Sequence, residues 1–366
     1  MNSDIVARMS HHDHVTNVKI SRDEERWELE VRAEIPADEL EKFRTEALKE
    51  IKAEAKIDGF RQGKAPETIV LQKYGEQSIL EHAAEHAVKH VLPELLAKEK
   101  VNIVDSPQVA IEPPVAGQPL KFSARAPMAP EVKLPDYAKI AARKNAEKME
   151  IEVSEEEHAE TLKHLRRERA RIAHMEAGKK PDEAGEEAKK LQDKDLPDLD
   201  EEFVKSLGYE SLDKFSHTVK VNIKKEKELR EEEKRRAALL DELVKGSTIK
   251  YPVVLKEYEL DDMEARMVGD LERMSTTLEK YLESVKKSRE DLRKEWEKAA
   301  DERAKVRLVL SEIARAEKLE ADHAKLTHEL DRAKKHYPKT DTAALRAHIS
   351  HALRNEAVIT WLERQK

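Results

Sequence analysis

The sequence predicts an α+β domain at the amino terminus, followed by an extended, mainly α-helical carboxy-terminal part with helical arms. Two observations carry this prediction. Residues 27–35 alternate apolar and mostly charged side chains, which is the pattern of a half-buried strand. Charged residues make up 40% of the 366 positions and aromatic residues only 4%. Such a composition is typical of long solvated helices rather than of one large compact core.

The first predicted element is a β-hairpin. In RWELEVRAEI the apolar residues occupy every second position, namely Trp27, Leu29, Val31, Ala33 and Ile35. A weaker apolar set precedes the polar segment SRDEE and consists of Val15, Val18 and Ile20. The stretch LKFSARAP, from Leu120, alternates in the same way and predicts a later strand that pairs with the hairpin.

Helices are predicted between these strands. Pro36 and Asp38 open the first one, and its apolar face recurs at three- and four-residue steps through Leu40, Phe43, Ala47, Leu48 and Ile51. This first helix should end near residues 57–59. Two further helices should follow, separated from each other near Gly75. Residues 1–130 therefore form one predicted α+β domain.

The pattern changes after residue 130. Ser154 and Glu157 have the spacing of a capping box and predict a helix to about Ala177. The charged segment from Gly178 to Asp200 predicts an exposed connector. Everything beyond it is predicted to be helical: one helix over 211–245, a second from Pro252 past Leu282, a third through Trp296, and two shorter helices divided by Pro338.

Composition excludes several classes of function. The net charge of −8 argues against a protein that coats nucleic acid along its whole length, although a local basic patch remains open. The absence of cysteine excludes disulfides, thiolate catalysis and cysteine-based zinc sites. Because no stretch reaches about 18 consecutive apolar residues and the first residues lack an apolar signal core, we expect a cytoplasmic protein without a membrane partner.

The most informative segment is GFRQGKAP, residues 59–66, which we call the tip. It places Phe60 beside Arg61 between glycines, with Lys64 and Pro66 following. An exposed aromatic ring with neighbouring cations on a turn of limited freedom is typical of a side chain that enters a partner's pocket. The alternative is an ordinary interhelical turn in which Phe60 folds back on its own domain.

The segment IDGFRQGKAPETIVLQKYG, from Ile57 to Gly75, closely resembles the ribosome-binding signature of the bacterial trigger factor family. PEVKLPDY, from Pro130, resembles that family's exit from its amino-terminal domain. LPDLDEEFVKSLGYESLDKF, from Leu196, resembles the entry to its helical domain. The resemblance implies a ribosome-binding domain over 1–130, a linker helix and charged connector over 131–195, and a client-binding helical domain over 196–366.

The sequence departs from the family in two respects. The family usually carries a β-rich prolyl-isomerase domain of the FK506-binding type, and here only a charged helix and connector occupy the corresponding interval. Gln62 stands where the family usually has lysine, which removes one cation from the tip. We therefore expect no isomerase activity and leave open how Gln62 affects docking.

The resemblance implies an ATP-independent, ribosome-associated holdase that is not an enzyme and needs no cofactor or metal. One expected partner is the large ribosomal subunit near the exit tunnel, where the chain would contact ribosomal protein; a contact with rRNA is left open. The other expected partners are unfolded or nascent polypeptides. A homodimer also remains open. The implied ribosome-binding residues are Gly59, Phe60, Arg61, Gln62, Gly63, Lys64 and Pro66.

Two alternatives remain at this point. HAAEH, from His82 to His86, fits the H-x-x-E-H motif of a zinc metallopeptidase, in which Glu85 would serve as general base. No third ligand stands out among the many glutamates, and a polar stripe on a helix explains the same residues. The other alternative is a non-enzymatic helical adaptor or scaffold, although Gly246, Pro252 and Pro338 interrupt the helices that it would need.

Overall fold

The computed structural model describes residues 14–54, 60–61, 63–147, 150–338 and 340–366. Gly59 and Gln62 of the tip lie outside the described residues. By contacts the chain divides into two compact units, one formed by residues 1–134 and 246–319 and the other by residues 135–245 and 320–366. The division into sequence domains at 130 and 195 stays a prediction.

The strands, in chain order, are β1 (Thr16–Asp23), β2 (Glu28–Ile35), β3 (Gln108–Ile111), β4 (Leu120–Pro127), β5 (Glu131–Lys133) and β6 (Thr248–Lys250). The helices are α1 (Ala37–Glu54), α2 (Glu67–Tyr74), α3 (Glu76–Lys98), α4 (Tyr137–Ala146), α5 (Glu155–Glu176), α6 (Pro181–Lys190), α7 (Glu201–Ser206), α8 (Leu212–Gly246), α9 (Val253–Arg273), α10 (Leu278–Val285), α11 (Arg289–Ala316), α12 (His323–His336) and α13 (Thr342–Glu363). A short 3-10 helix, Asp193–Asp195, lies between α6 and α7.

The first unit contains an antiparallel sheet with strand order β1-β2-β4-β3. The predicted hairpin and its later partner are confirmed as β1, β2 and β4. One face of β2 and β4 is buried, as the alternation requires, and it packs against α1 and α3 in one core cluster. The edge strand β3 was not predicted, because its residues are mostly exposed and lack a clear apolar alternation.

Trp27 departs from the predicted strand pattern. It precedes β2, with a φ of 55° in the left-handed region, but its ring is only 4% exposed. The indole Nε1 donates a hydrogen bond to the carbonyl oxygen of Ala129 at 2.9 Å, and the Lys250 ammonium lies 4.7 Å from the ring centroid. Trp27 is thus held by the segments around β5 and β6, which sequence periodicity did not place beside it.

The helical part of the first unit differs from the prediction at two points. Residues 248–250 form strand β6, paired with β5, although only helices were predicted here. The helix from Pro252 ends at Arg273, and Thr277 caps a separate α10 with its side chain, so the prediction of one helix past Leu282 was wrong. Ser275, with a φ of 58°, lies in the break.

Charged side chains join α9 to α11. Glu259 is 4% exposed and accepts hydrogen bonds from Arg303 Nε at 3.1 Å and from Arg307 Nη1 at 2.7 Å. Arg293 of α11 pairs with Asp261 at 2.7 Å and with Glu264 at 3.0 Å. A buried carboxylate is tolerated when such hydrogen bonds compensate its lost hydration.

The second unit is helical. The predicted capping box of α5 is confirmed, since Ser154 and Glu157 exchange side-chain and backbone hydrogen bonds. The prediction of an exposed connector was only partly right, because α6 lies within that segment and buries Ala184 and Ala188. The long helix α8 and the pair α12 and α13 on either side of Pro338 are as predicted. Over the described residues, no helix combines the length and apolar character needed to cross a bilayer.

Candidate functional site

The described part of the tip forms a tight turn between α1 and α2. The backbone N–H of Lys64 donates to the carbonyl oxygen of Arg61 at 2.9 Å and closes the turn. Gly63 has a φ of 79°, in the left-handed region where a side chain would be strained. Glycine at this position therefore permits the reversal that the sequence predicted.

The carboxy-terminal side of the tip is anchored. Ala65 is only 4% exposed and belongs to a small apolar cluster with Leu48 of α1, Val70 of α2 and Ile79 of α3. The carbonyl oxygen of Pro66 accepts from the N–H groups of Ile69 and Val70 and starts α2. One side of the turn is thus fixed by three helices.

The side chains that would meet a partner lie at the surface. Phe60 is 41% exposed, and Arg61 and Lys64 are exposed as well. Within the described part of the chain, neither cation forms an ion pair. The turn therefore offers one aromatic ring and two cations to solvent, and internal packing of Phe60, the alternative reading, is not what the structure shows.

A bidentate ion pair ties α1 to the start of α3. Arg44 donates from Nε to Glu76 Oε1 at 2.6 Å and from Nη2 to Oε2 at 3.0 Å. The hydrogen bond from Arg44 lowers the pKa of Glu76 from its ordinary value of 4.5, and the same bond raises the pKa of Arg44. Because planar bidentate pairs fix geometry, this contact holds together the two helices that support the tip.

The structure thus brings Phe60, Arg61, Gly63, Lys64 and Pro66 into one turn, while Gly59 and Gln62 lie outside the described residues. Sequence reasoning missed the supporting residues Ala65 and Arg44. The small apolar side chain of Ala65 among polar neighbours was a signal for an anchor. No local pattern identified the partner of Arg44, because Glu76 is 32 residues away.

The HAAEH segment lies on α3. Its two histidines, His82 and His86, are half-buried and lie beside Glu50 of α1, and their potential ligand atoms are all within 4.8 Å of one another. Glu85, the base that a peptidase of this motif would use, is exposed and is not a member of this group. The described residues therefore assemble ligand-type side chains here, but not in the arrangement of the peptidase motif.

Exposed apolar side chains occur on the helices of each unit. In the first unit Tyr258, Met274 and Val285 are exposed, and Met274 is the most exposed of these at 75%. Met263 and Met267 lie on α9, which ends at the residue before Met274, and they are half-buried. In the second unit the exposed apolar residues include Ile172, Met175, Val221 and Leu229. Each unit thus has apolar surface that an unfolded chain could contact.

A cleft of about 310 Å³ in the first unit is lined by charged and aromatic side chains, including Trp27, Tyr251 and Asp301. Tyr251 donates a hydrogen bond to Asp301. Burial, together with this bond, raises the pKa of Tyr251 above its ordinary value of 10.0. The phenol therefore stays protonated at neutral pH, so it acts as a hydrogen-bond donor that joins the residue after β6 to α11 rather than as a base.

Family models match most of the chain. A model described as "Bacterial trigger factor protein (TF)" matches residues 16–165, and one described as "Bacterial trigger factor protein (TF) C-terminus" matches residues 211–363. The interval between the two matches contains the end of α5, α6, the 3-10 helix and α7. Among the described residues of this interval there is no strand, so no β-rich isomerase domain occupies it.

Individual relatives agree with this assignment. A trigger factor of Thermus thermophilus is 28% identical, over 80% of this chain and 83% of that protein. A trigger factor of Caldicellulosiruptor saccharolyticus is 25% identical, over 77% of this chain and 80% of that protein. A solved structure titled "Promiscuous Substrate Recognition in Folding and Assembly Activities of the Trigger Factor Chaperone" has a TM-score of 0.51 at 17% identity and covers 96% of this chain and 100% of that chain. This last similarity concerns the fold.

Proposed function

The chain belongs to the bacterial trigger factor family, and from that premise we propose that it is an ATP-independent holdase that docks at the exit of the ribosomal tunnel and binds emerging polypeptides. The family is one of chaperones. We place the protein's action in the cytoplasm, where ribosomes translate, and infer that it is not an enzyme. The sequence neither predicts nor excludes a homodimer away from the ribosome.

The observation that carries the docking proposal is the exposed aromatic ring on an anchored turn. Phe60 is 41% exposed while Ala65, five residues on, is 4% exposed. Anchoring the carboxy-terminal side of the turn lowers the entropic cost of docking, and aromatic residues are prominent among interface hot spots. Arg61 and Lys64 can pair with carboxylates of a ribosomal protein or with rRNA phosphates.

Client binding is proposed for the helices of both units. Exposed apolar side chains such as Met274 and Leu229 offer contact area without a closed core, and flexible thioethers adapt to varied partners. The surrounding charged surface keeps such a protein soluble. We propose that isomerase activity is absent, and a proline-limited refolding assay should then show no acceleration over the uncatalysed rate.

The docking experiment is co-sedimentation with large ribosomal subunits. The Phe60→Ala, Arg61→Ala double variant should lose most of its binding, because truncating a hot-spot side chain costs about 2 kcal/mol or more. The matched control is Tyr337→Ala, which removes an aromatic ring that is 61% exposed and lies outside the tip. It should bind as the wild type does. Circular dichroism checks that the variants fold.

Two further measurements separate the contributions of the aromatic ring and of the cations of the tip to ribosome binding. Gln62→Lys restores the cation that the family usually has and should tighten binding. If Arg61 and Lys64 meet phosphates, the slope of log affinity against log salt should be about −1 to −2. Wild-type binding by the Phe60 and Arg61 double variant would overturn the docking proposal, and binding independent of salt would assign docking to Phe60 alone.

A further inference from the structure

Three side chains of metal-ligand type converge from two helices on the first unit. His82 and His86 are four residues apart on α3, which places both rings on one face, and their centroids are 4.7 Å apart. Glu50 reaches them from α1, with its Oε2 3.2 Å from His86 Nε2. The potential ligand atoms of all three residues lie within 4.8 Å of one another.

The backbone that carries these residues is fixed by packing. Ala83 and Ala87, which alternate with the histidines along α3, are fully buried in the sheet core, as is Ala47 on α1. The pair between Arg44 and Glu76 joins the same two helices at the first residue of α3. The three side chains are therefore presented by a preformed scaffold, which lowers the entropic cost of binding a ligand.

An unsatisfied nitrogen also marks the group. His82 Nδ1 is buried, and within the described residues it has no hydrogen-bond partner. A buried polar atom without a partner is costly and rare in native proteins, and it calls for an explanation such as an ion. Glu50 and His86 remain accessible, with 52% and 32% of their side chains exposed. An ion could therefore reach the group from solvent.

We propose that Glu50, His82 and His86 form a binding site for Zn²⁺. Two imidazoles and one carboxylate suit zinc, whereas Mg²⁺ and Ca²⁺ prefer sites made of oxygen alone. Tetrahedral ligands at zinc distances lie about 3.3 Å from one another. Glu50 Oε2 and His86 Nε2, at 3.2 Å from each other, are already close to that spacing. Among the described residues no fourth protein ligand belongs to the group, so water takes the fourth position.

The site is one for binding rather than for peptide hydrolysis. Glu85, the glutamate between the histidines, is exposed and is not part of the group, so the group lacks the general base of the peptidase motif. Glu50 lies four residues before the last residue of α1, Glu54. Zinc bound here joins the final turn of α1 to α3, directly before the segment that leads to the tip.

The test is calorimetric titration of ZnCl₂ into the metal-free full chain at pH 7.5. His11, His12 and His14 also carry imidazoles near the amino terminus, so the titration uses a background in which all three are alanine. One zinc ion per chain is expected in that background. His82→Ala and His86→Ala should each weaken binding by at least about tenfold, because each removes one of only three protein ligands.

Matched controls come from the same helix. His90→Ala removes an exposed histidine one turn beyond His86, and Glu85→Gln removes the exposed carboxylate of the motif. Both should bind zinc as the background does. Glu50→Gln changes an exposed position, so it tests the site even if a histidine variant fails to fold, and it should also weaken binding. The proposal would be overturned if Glu50→Gln and His86→Ala both bound zinc with unchanged affinity. It would also be overturned if the background protein did not bind zinc.

Discussion

The helices α3 and α8 are both long, yet they are stabilised in different ways. Of the 23 residues of α3, ten are buried, and they face the sheet or α1 along most of its length. Of the 35 residues of α8, only Phe215, Val219, Leu239 and Leu243 are buried. Between Val219 and Leu239 no residue of α8 is buried.

The difference agrees with the division of roles that we propose for this chain. Packing fixes α3, and α3 in turn supports the tip. The central part of α8 depends on helix propensity and on surface pairs such as Arg230 with Glu226 and Lys227 with Glu157. As a consequence, Val221 and Leu229 remain exposed. A rigid scaffold suits docking at a defined site, and an unburied helix suits contact with clients of many sequences.

The largest expected effect comes from a matched pair of leucines. Leu29 of β2 is 1% exposed and Leu229 of α8 is 53% exposed. Leu29→Ala should lower the free energy of unfolding of the sheet by about 3 kcal/mol, because it removes buried surface and leaves a cavity. Leu229→Ala should change stability by less than about 0.5 kcal/mol. Urea unfolding followed by circular dichroism measures both free energies. An equal loss of stability in the two variants would contradict the difference between the packed sheet and the exposed part of α8.

A smaller and more local effect is expected in hydrogen exchange. Amides in the middle of α3, over residues 83–92, should exchange at least about tenfold more slowly than amides over residues 224–235 of α8. The reason is that opening α3 exposes core side chains, whereas opening the middle of α8 breaks only surface contacts. Exchange read out by mass spectrometry resolves both segments. Equal protection would mean that α8 is covered along its length.

The smallest effect concerns the ion pair that joins α1 and α3. Because Arg44 lowers the pKa of Glu76, the pair stabilises the fold above the ordinary value of 4.5, and this contribution is lost as the pH falls through the lower folded pKa. Glu76→Gln should therefore cost stability at neutral pH and converge with the wild type in acid. Glu76 is 45% exposed, so solvent screening keeps the difference within about 1 kcal/mol.

The control for this variant is Glu81→Gln, on the same helix. Glu81 is exposed and accepts a long hydrogen bond from Gln77, at 3.3 Å. Its replacement should leave the pH profile of stability as in the wild type. The profile is measured by thermal unfolding between neutral and acidic pH. A Glu76→Gln deficit that persists at low pH would show that the pair acts through packing rather than charge.

Much of the fold could be predicted because its signals are local. The alternation of β2, the helical periodicity of α1 and the capping box of Ser154 with Glu157 each occupy a few consecutive residues. In each case the structure confirms the element. The tip is similar, since the glycine at 63 and the proline at 66 specify a turn. By contrast, the prediction of a single helix past Leu282 was wrong, because Ser275 and Thr277 are not residue types that strongly indicate a helix end.

The sequence by itself determined the strands β1, β2 and β4, most of the long helices and the turn at the tip, because those preferences arise from interactions within a few residues. Only the tertiary structure decided that β5 pairs with β6 across more than a hundred residues, that Trp27 is buried against Lys250, and that Glu50 meets His82 and His86. Such contacts depend on how distant segments pack, and helix or strand periodicity contains no information about which face will meet which partner.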